Sequence, residues 1–176
     1  MGVGSSKPHI GRWYDAVINS EETDLFFKDS SLDDDGAKQI ACALIDPQCP
    51  EIKLLCLWKN RITDKGAKVL FRVLATNTTV ESLTLNDTRI SVKGAQALAK
   101  TLKINITLTS LYLERNQFWN SGAHALGKAL RYNTTVEHVR LESNGIDDRG
   151  AVYLAKALQS PHNNIRIMYL QDNNIG

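Results

Sequence analysis

The sequence predicts an α/β solenoid, in which a parallel sheet lines one side and helices the other. Three observations point to it. Gly66, Gly94, Gly122 and Gly150 are spaced 28 residues apart, and a fixed period of that length marks stacked structural units. Within each unit an alternating apolar pair, such as Leu55 and Leu57, has the period of two of a strand with one buried face. Further on the period changes: Ala67-Leu70-Leu74, Ala95-Leu98-Leu102, Ala123-Leu126-Leu130 and Ala151-Leu154-Leu158 are spaced i, i+3, i+7, one face of a helix.

The elements follow in chain order. Residues 1–6 read MGVGSS and fit the M-G-x-x-x-[ST] pattern for acylation at Gly2. A single acyl chain gives only marginal membrane binding, and a plain flexible start is the commoner meaning of so short a pattern. Residues 11–20 predict a short helix in which Trp13 pairs with Val17 and Tyr14 with Ile18 at i, i+4. Open solenoid ends need an apolar cover, so residues 1–24 are assigned as an N-terminal segment and cap. Residues 25–176 are assigned to the repeats. The first is degenerate, with Leu25, Phe27, Leu32, Gly36, Ala37, Ile40 and Leu44 in the register of the later units. Its Asp33-Asp34-Asp35 run sits at a helix start, where negative charge is favourable, and lacks the spacing of a calcium loop.

The full units align on Ile52-Leu55-Leu57-Asn60-Ile62, Val80-Leu83-Leu85-Thr88-Ile90, Leu108-Leu111-Leu113-Asn116-Phe118, Val136-Val139-Leu141-Asn144-Ile146 and Ile165-Met168-Leu170-Asn173-Ile175. The asparagine three residues beyond each strand is expected to satisfy buried backbone groups of the neighbouring turn, and Thr88 replaces it once. Small residues (Ala99, Gly127, Ala155) follow the central helix leucine, where a tight solenoid leaves little room. Phe71 breaks that rule, after a two-residue insertion near residues 46–50. The chain stops after Ile175-Gly176, past a strand and before the helix of its unit, which reads as a fragment of a longer array.

These units carry the L-x-x-L-x-L-x-x-N-x-L signature, and the run N-x-I-x-D-x-G-A-x-x-L-A-x-A-L resembles the ribonuclease-inhibitor-like subfamily of leucine-rich repeats. Similar repeats occur in NOD-like receptors, Ran GTPase-activating proteins and bacterial effectors. The resemblance covers about residue 25 to the C-terminus. It implies a right-handed horseshoe that holds protein partners on concave strand residues. It also leaves open a GTPase-activating or other enzyme-regulating module, or an effector aimed at a host protein.

Composition bounds these readings. The 43% hydrophobic and 23% charged content is that of an ordinary soluble chain of single-domain length, and no apolar run reaches the ~18 residues of a membrane span. Cys42, Cys49 and Cys56 show no metal-ligand spacing and cannot all pair, which suits reduced thiols in a cytoplasmic protein. Asn77, Asn105 and Asn133 match glycosylation acceptors but recur as helix-to-strand turns; Asn86 matches as well. Residues 1–36 carry three basic and eight acidic side chains, a balance of −5, against +7 for the remainder.

Candidate sites come from the residues between the strand leucines. Three columns result: Phe26, Cys56, Thr84, Tyr112, Arg140, Tyr169; then Lys28, Trp58, Asn86, Glu114, Glu142, Gln171; then Asp29, Lys59, Asp87, Arg115, Ser143, Asp172. Exposed aromatics and arginines favour interface centres. The proposed partner-binding set is Trp58, Tyr112, Glu114, Arg115, Arg140, Glu142 and Tyr169, with Trp119 on the flanking loop. Such a sheet outlines only roughly 350 Å², against about 800 Å² per partner in a standard interface, so loops have to contribute. Glu114 and Glu142, one rung apart, have the separation of a retaining glycosidase pair, yet a shallow open sheet offers no water-excluding cleft. A basic stripe of Arg72, Lys100, Lys128 and Lys156 on the helices could touch phosphates, but almost no aromatics are interleaved with it. No triad, phosphate-binding loop or zinc pattern is present. The expectation is a non-enzymatic scaffold with a protein partner and no cofactor, metal, small-molecule substrate or nucleic acid. Membrane contact is expected only if Gly2 is acylated.

Overall fold

The computed structural model describes residues 11–176. Strands and helices alternate: α1 (Arg12–Ile18), β1 (Asp24–Phe26), α2 (Asp34–Leu44), β2 (Leu54–Cys56), α3 (Asp64–Leu74), β3 (Ser82–Thr84), α4 (Val92–Leu102), β4 (Ser110–Tyr112), α5 (Trp119–Leu130), β5 (His138–Arg140), α6 (Asp148–Leu158) and β6 (Ile167–Tyr169). The strands form one open parallel sheet in the order β1-β2-β3-β4-β5-β6. Leu25, Leu55, Leu83, Leu111, Val139 and Met168 face one another along its rungs, so equivalent apolar residues meet in every layer. This is the α/β solenoid expected from the period.

The strands are three residues long because only that much of each unit alternates. The sheet ladder nevertheless continues past them. Leu57 N–H donates to Thr84 O at 2.8 Å and Leu85 N–H to Tyr112 O at 2.8 Å. Two residues on, the chain turns through the left-handed region at Asp29, Lys59, Asp87, Arg115, Ser143 and Asp172, all with φ between 50° and 57°. The third column therefore lies on a turn rather than on the strands, a correction to its placement. The left-handed conformation costs non-glycine residues roughly 1–2 kcal/mol each. It persists because the next repeat holds it, as when Asp87 N–H donates to Glu114 O at 3.0 Å and Arg115 N–H to Glu142 O at 2.9 Å.

Two asparagine ladders close the turns. On the strand side Asn60 donates to Phe27 O and Leu57 O and accepts from the N–H groups of Ser30 and Leu32. Asn116 donates to Leu85 O and Leu113 O and accepts from Thr88 Oγ1 and Ile90 N–H. On the helix side Asn105 donates to Leu74 O and Asn133 to Leu102 O, and each accepts from the amides that follow it. Both are buried, so their glycosylation pattern is a turn signature.

Helix starts are stitched from one repeat to the next. Asp33, Thr63, Ser91 and Asp147 each accept a backbone N–H at an N-cap. The following Asp34 accepts from Thr63 N–H, Thr63 Oγ1 and Gly66 N–H, and Asp64 repeats the pattern with Ser91 and Gly94. Burial would push the Asp34 carboxyl up, but the Thr63 and Gly66 donors, with Lys65 nearby, hold it below the ordinary carboxylate value. Gly66 has to be small, since a Cβ there would lie 2.8 Å from Asp34 Cα.

At the N-terminal end Val17 is fully buried and Tyr14 and Ile18 nearly so, and the Trp13 ring meets Phe27 edge-on with centroids 5.4 Å apart. The Tyr14 hydroxyl donates to Asp46, and that bond pushes its pKa up to about 12. At the other end Ala155 and Leu158 of α6 are exposed, because no helix among the described residues packs on them. No described helix is long and apolar enough to cross a membrane. Gly2 lies outside the described residues.

Candidate functional site

The concave face is built from the residues that end each strand and those just beyond them. Tyr112, Arg140 and Tyr169 close β4, β5 and β6, and all three side chains are at least partly accessible. Cys56, in the same column on β2, is buried and drops out of the accessible surface. In the middle of the face Arg140 lies 5.5 Å from the Tyr112 ring centroid and 4.9 Å from that of Tyr169. Its Nη1 is 3.6 Å from Glu114 Oε1. A guanidinium held between two rings and a carboxylate has lost much of its rotamer freedom before any ligand arrives, so less entropy remains to be lost on binding.

Beside this cluster runs an open groove of about 520 Å³. Trp58, Glu114, Arg115, Arg140, Glu142 and Tyr169 line it, so six of the eight candidate residues are brought together, and Tyr112 joins through Arg140. Asn86, Asp87 and Asp172 also line it. The column register contains all three, but polar side chains between leucines carry no signal that separates a groove wall from a solvated face. On its far side Lys28 Nζ sits 4.0 Å from the Trp58 ring centroid. Arg115 is paired with Asp87 at 3.6 Å and exposed; it belongs to the left-handed turn.

The floor of the groove is short of donors. Asn86 Oδ1, Glu114 Oε2 and Glu142 Oε2 are buried oxygens without a hydrogen-bond partner, an arrangement that costs desolvation energy. Burial raises the Glu114 carboxyl above its ordinary value, and the charge of Glu142 adds to the rise, while its own backbone N–H and Arg140 oppose it. The groove is open to solvent, and nothing beside the two carboxylates shields a reacting bond from water.

Trp119 stands apart from the groove. It is 52% exposed and opens α5 with φ 49°, at the register position where Thr63, Ser91 and Asp147 cap their helices. The preceding Phe118 accepts no side-chain cap bond because it has no side-chain acceptor to offer, and its backbone is already helical. The indole lies over Gly145, whose own φ is +71°; a Cβ there would be 2.4 Å from Trp119 Cε3. That Trp119 shares the register position of Thr63, Ser91 and Asp147 was visible in the sequence, but its dependence on Gly145, 26 residues away, was not.

Among the described residues no group of three or more His, Cys, Asp or Glu side chains is placed to hold a metal ion. On the helix side the cations of the basic stripe are exposed, and Lys156 lies 5.6 Å from the Tyr153 ring.

Three comparisons bear on this architecture. The leucine rich repeat family matches residues 76–99, 105–127 and 132–155. No curated protein matches the chain. Among solved structures the chain is similar to "Leiomodin-1 Actin-Binding Site 2 (ABS2)", with 22% identity and a TM-score of 0.62 over 93% of this chain and 77% of that one. At that identity the likeness shows the fold alone. Residues 76–99, 105–127 and 132–155 thus match leucine-rich repeats, and the described residues stack as an α/β solenoid of six parallel strands and six helices.

Proposed function

We propose that this chain is a non-enzymatic scaffold that binds a protein partner through its concave strand face and the adjoining loops. One observation carries the reading: Arg140 is fixed between Tyr112, Tyr169 and Glu114 at the wall of a groove that also receives Trp58. Prearranged aromatic and arginine side chains near the middle of a face are the residue types that dominate interface energetics. The exposed Trp119, which lies at the start of α5 rather than on a loop, extends the surface that six short strands alone leave too small. The repeat length of 28 supports the ribonuclease-inhibitor-like subfamily, and three unpaired thiols support a reducing, cytoplasmic setting.

The test is quantitative affinity capture with the wild type and a Trp58→Ala/Tyr112→Ala/Arg140→Ala triple variant. The expected result is loss of a captured partner with little change in Tm, since all three side chains are partly accessible. Equal capture by the triple variant rules the surface out. Actin is one candidate partner, because the similar structure is named for an actin-binding site. No co-sedimentation of the wild type with actin filaments removes that candidate while leaving the scaffold reading in place.

A further inference from the structure

On the opposite side of the molecule, between α3 and α4, a trough of about 460 Å³ runs along the helices. Its lips are cationic: Lys68 and Arg72 on α3, Lys93 and Lys100 on α4, all exposed. Its floor is apolar, formed by Phe71, Ala75, Ala97 and Ile104, and Ile104 is 61% exposed.

The sequence explains why the trough opens here. At the position after the central buried aliphatic residue of each helix (Ile40, Leu70, Leu98 and Leu126), α2, α4 and α5 carry Ala41, Ala99 and Gly127, whereas α3 carries Phe71, whose ring is buried. Where the residue is small the helices touch closely: a Cβ added to Gly127 would lie 2.6 Å from Tyr153 O on α6. A phenyl ring at the equivalent site needs more room than that contact leaves, and the space above it becomes the trough.

The charge around it has one sign. Residues 65–80 and 88–113 contain no Asp or Glu. The acid nearest in sequence, Asp64, is already occupied by the amides of Ser91 and Gly94 and by the Ser91 hydroxyl. Lys68 and Arg72 are about 6 Å apart along one helix axis, and Lys93 and Lys100 about 10 Å along the other, at roughly 1.5 Å per residue.

From the apolar floor and the two cationic lips we infer that the α3–α4 trough is a second protein-binding site, which receives an amphipathic helix whose narrow apolar ridge is flanked on both sides by Asp or Glu. The ridge covers Ile104 and the alanines, and the acidic flanks meet Lys68 and Arg72 on one lip and Lys93 and Lys100 on the other, a helix-in-groove arrangement. A flat bilayer would meet the lips and leave the floor uncovered. Nucleic acid would present phosphates to the cations but find no accessible ring in the trough on which a base could stack. The inference does not depend on the concave face.

The experiment is fluorescence anisotropy on the full chain with a labelled peptide of about 15 residues, long enough to hold a helix, carrying Leu at i, i+4 and i+7 with Glu on both sides. Its Glu→Lys counterpart, duplex DNA and phosphatidylserine vesicles serve as competing probes. Binding of the Glu peptide is expected to weaken ~tenfold or more in Arg72→Glu/Lys100→Glu and to fall with added salt. It should weaken in Ile104→Ser and be unchanged in Lys156→Glu, which lies outside the trough, and in Trp58→Ala/Arg140→Ala on the other face. No binding by the wild type, equal binding by the charge-reversed variant, or preference for DNA or vesicles lost in that same variant overturns the proposal. Melting curves establish that the variants are folded, and Ile104→Ser changes an exposed side chain without altering charge.

Discussion

The α3–α4 stitch with the β3–β4 turns, and the α4–α5 stitch with the β4–β5 turns, are two successive junctions built from the same repeat, yet only the first follows its rules. At the first, Asp64 accepts from Ser91 and Gly94, Ser91 caps α4, Gln117 N–H donates to Ile90 O at 3.0 Å, and Asn116 uses both ends of its amide. At the second, Val92 stands where Asp34 and Asp64 stand, and Trp119 where Thr63 and Ser91 stand. The bond runs the other way, from Trp119 N–H to Asn144 O at 3.0 Å, and Asn144 Oδ1 is left without a partner. Gly145 then takes a positive φ under the indole. The departures at residues 92, 119 and 145 form one rearrangement: losing the acceptor at 92 removes the reason for a polar cap at 119. The tryptophan it admits needs a glycine beneath it. Cap and ladder bonds given up there leave an exposed aromatic beside the concave face, the kind of exchange expected at a recognition surface.

Substitutions can break or sharpen this contrast. The largest effect is expected at Gly145→Ala, which combines an unfavourable φ with a clash against the indole and should destabilise by about 2–4 kcal/mol. Urea denaturation measures the loss, and a shifted tryptophan emission would report displacement of Trp119. Next, Asn116→Ala should cost roughly 1–3 kcal/mol because it orphans buried partners at both ends of the amide. Asn144→Ala should fall at the lower end of that range, its oxygen being unpartnered already. Equal losses in paired urea melts would remove the distinction between the two junctions. In the other direction, Val92→Asp combined with Trp119→Ser rebuilds the acceptor and the cap and should stabilise by about 1 kcal/mol. The same variant deletes the exposed indole, so any partner that uses Trp119 should bind it less well.

The smallest effect is in pH dependence. The Asp34 carboxyl has a lowered pKa in the folded state, so its contribution is complete above the unfolded value of about 3.9 and lost as pH falls through the folded one. The stability difference between wild type and Asp34→Asn should be constant down to about pH 5 and shrink below about pH 4. A difference that grew on acidification would contradict the role given to the Thr63 and Gly66 donors.

Much of the molecule was legible in its residues. The alternation of Leu55 and Leu57 and the i, i+3, i+7 spacing of Ala67, Leu70 and Leu74 report which side of each element is buried, and burial follows them closely. Trp58, Glu114, Arg140, Glu142 and Tyr169 could be grouped because a fixed period converts sequence position into rungs of a sheet. Arg115 was assigned to the same sheet and lies on a left-handed turn instead. Asp recurs at three of the six equivalent positions (Asp29, Asp87 and Asp172), and tolerance of that conformation is characteristic of Asp. Lys59 and Arg115 in the same column hid the signal.

The chain by itself determined the period, the order of strand and helix, the buried leucines and the asparagine ladders, because each repeats at a spacing that local geometry imposes. Contact between layers decided the rest. The left-handed turns are held by amides of the next repeat, Gly145 answers to Trp119, and three acceptor oxygens end without donors on the concave floor. Phe71 parts two helices above a basic trough. Each of these depends on side chains that meet only after neighbouring units have stacked, so no single unit contains the information.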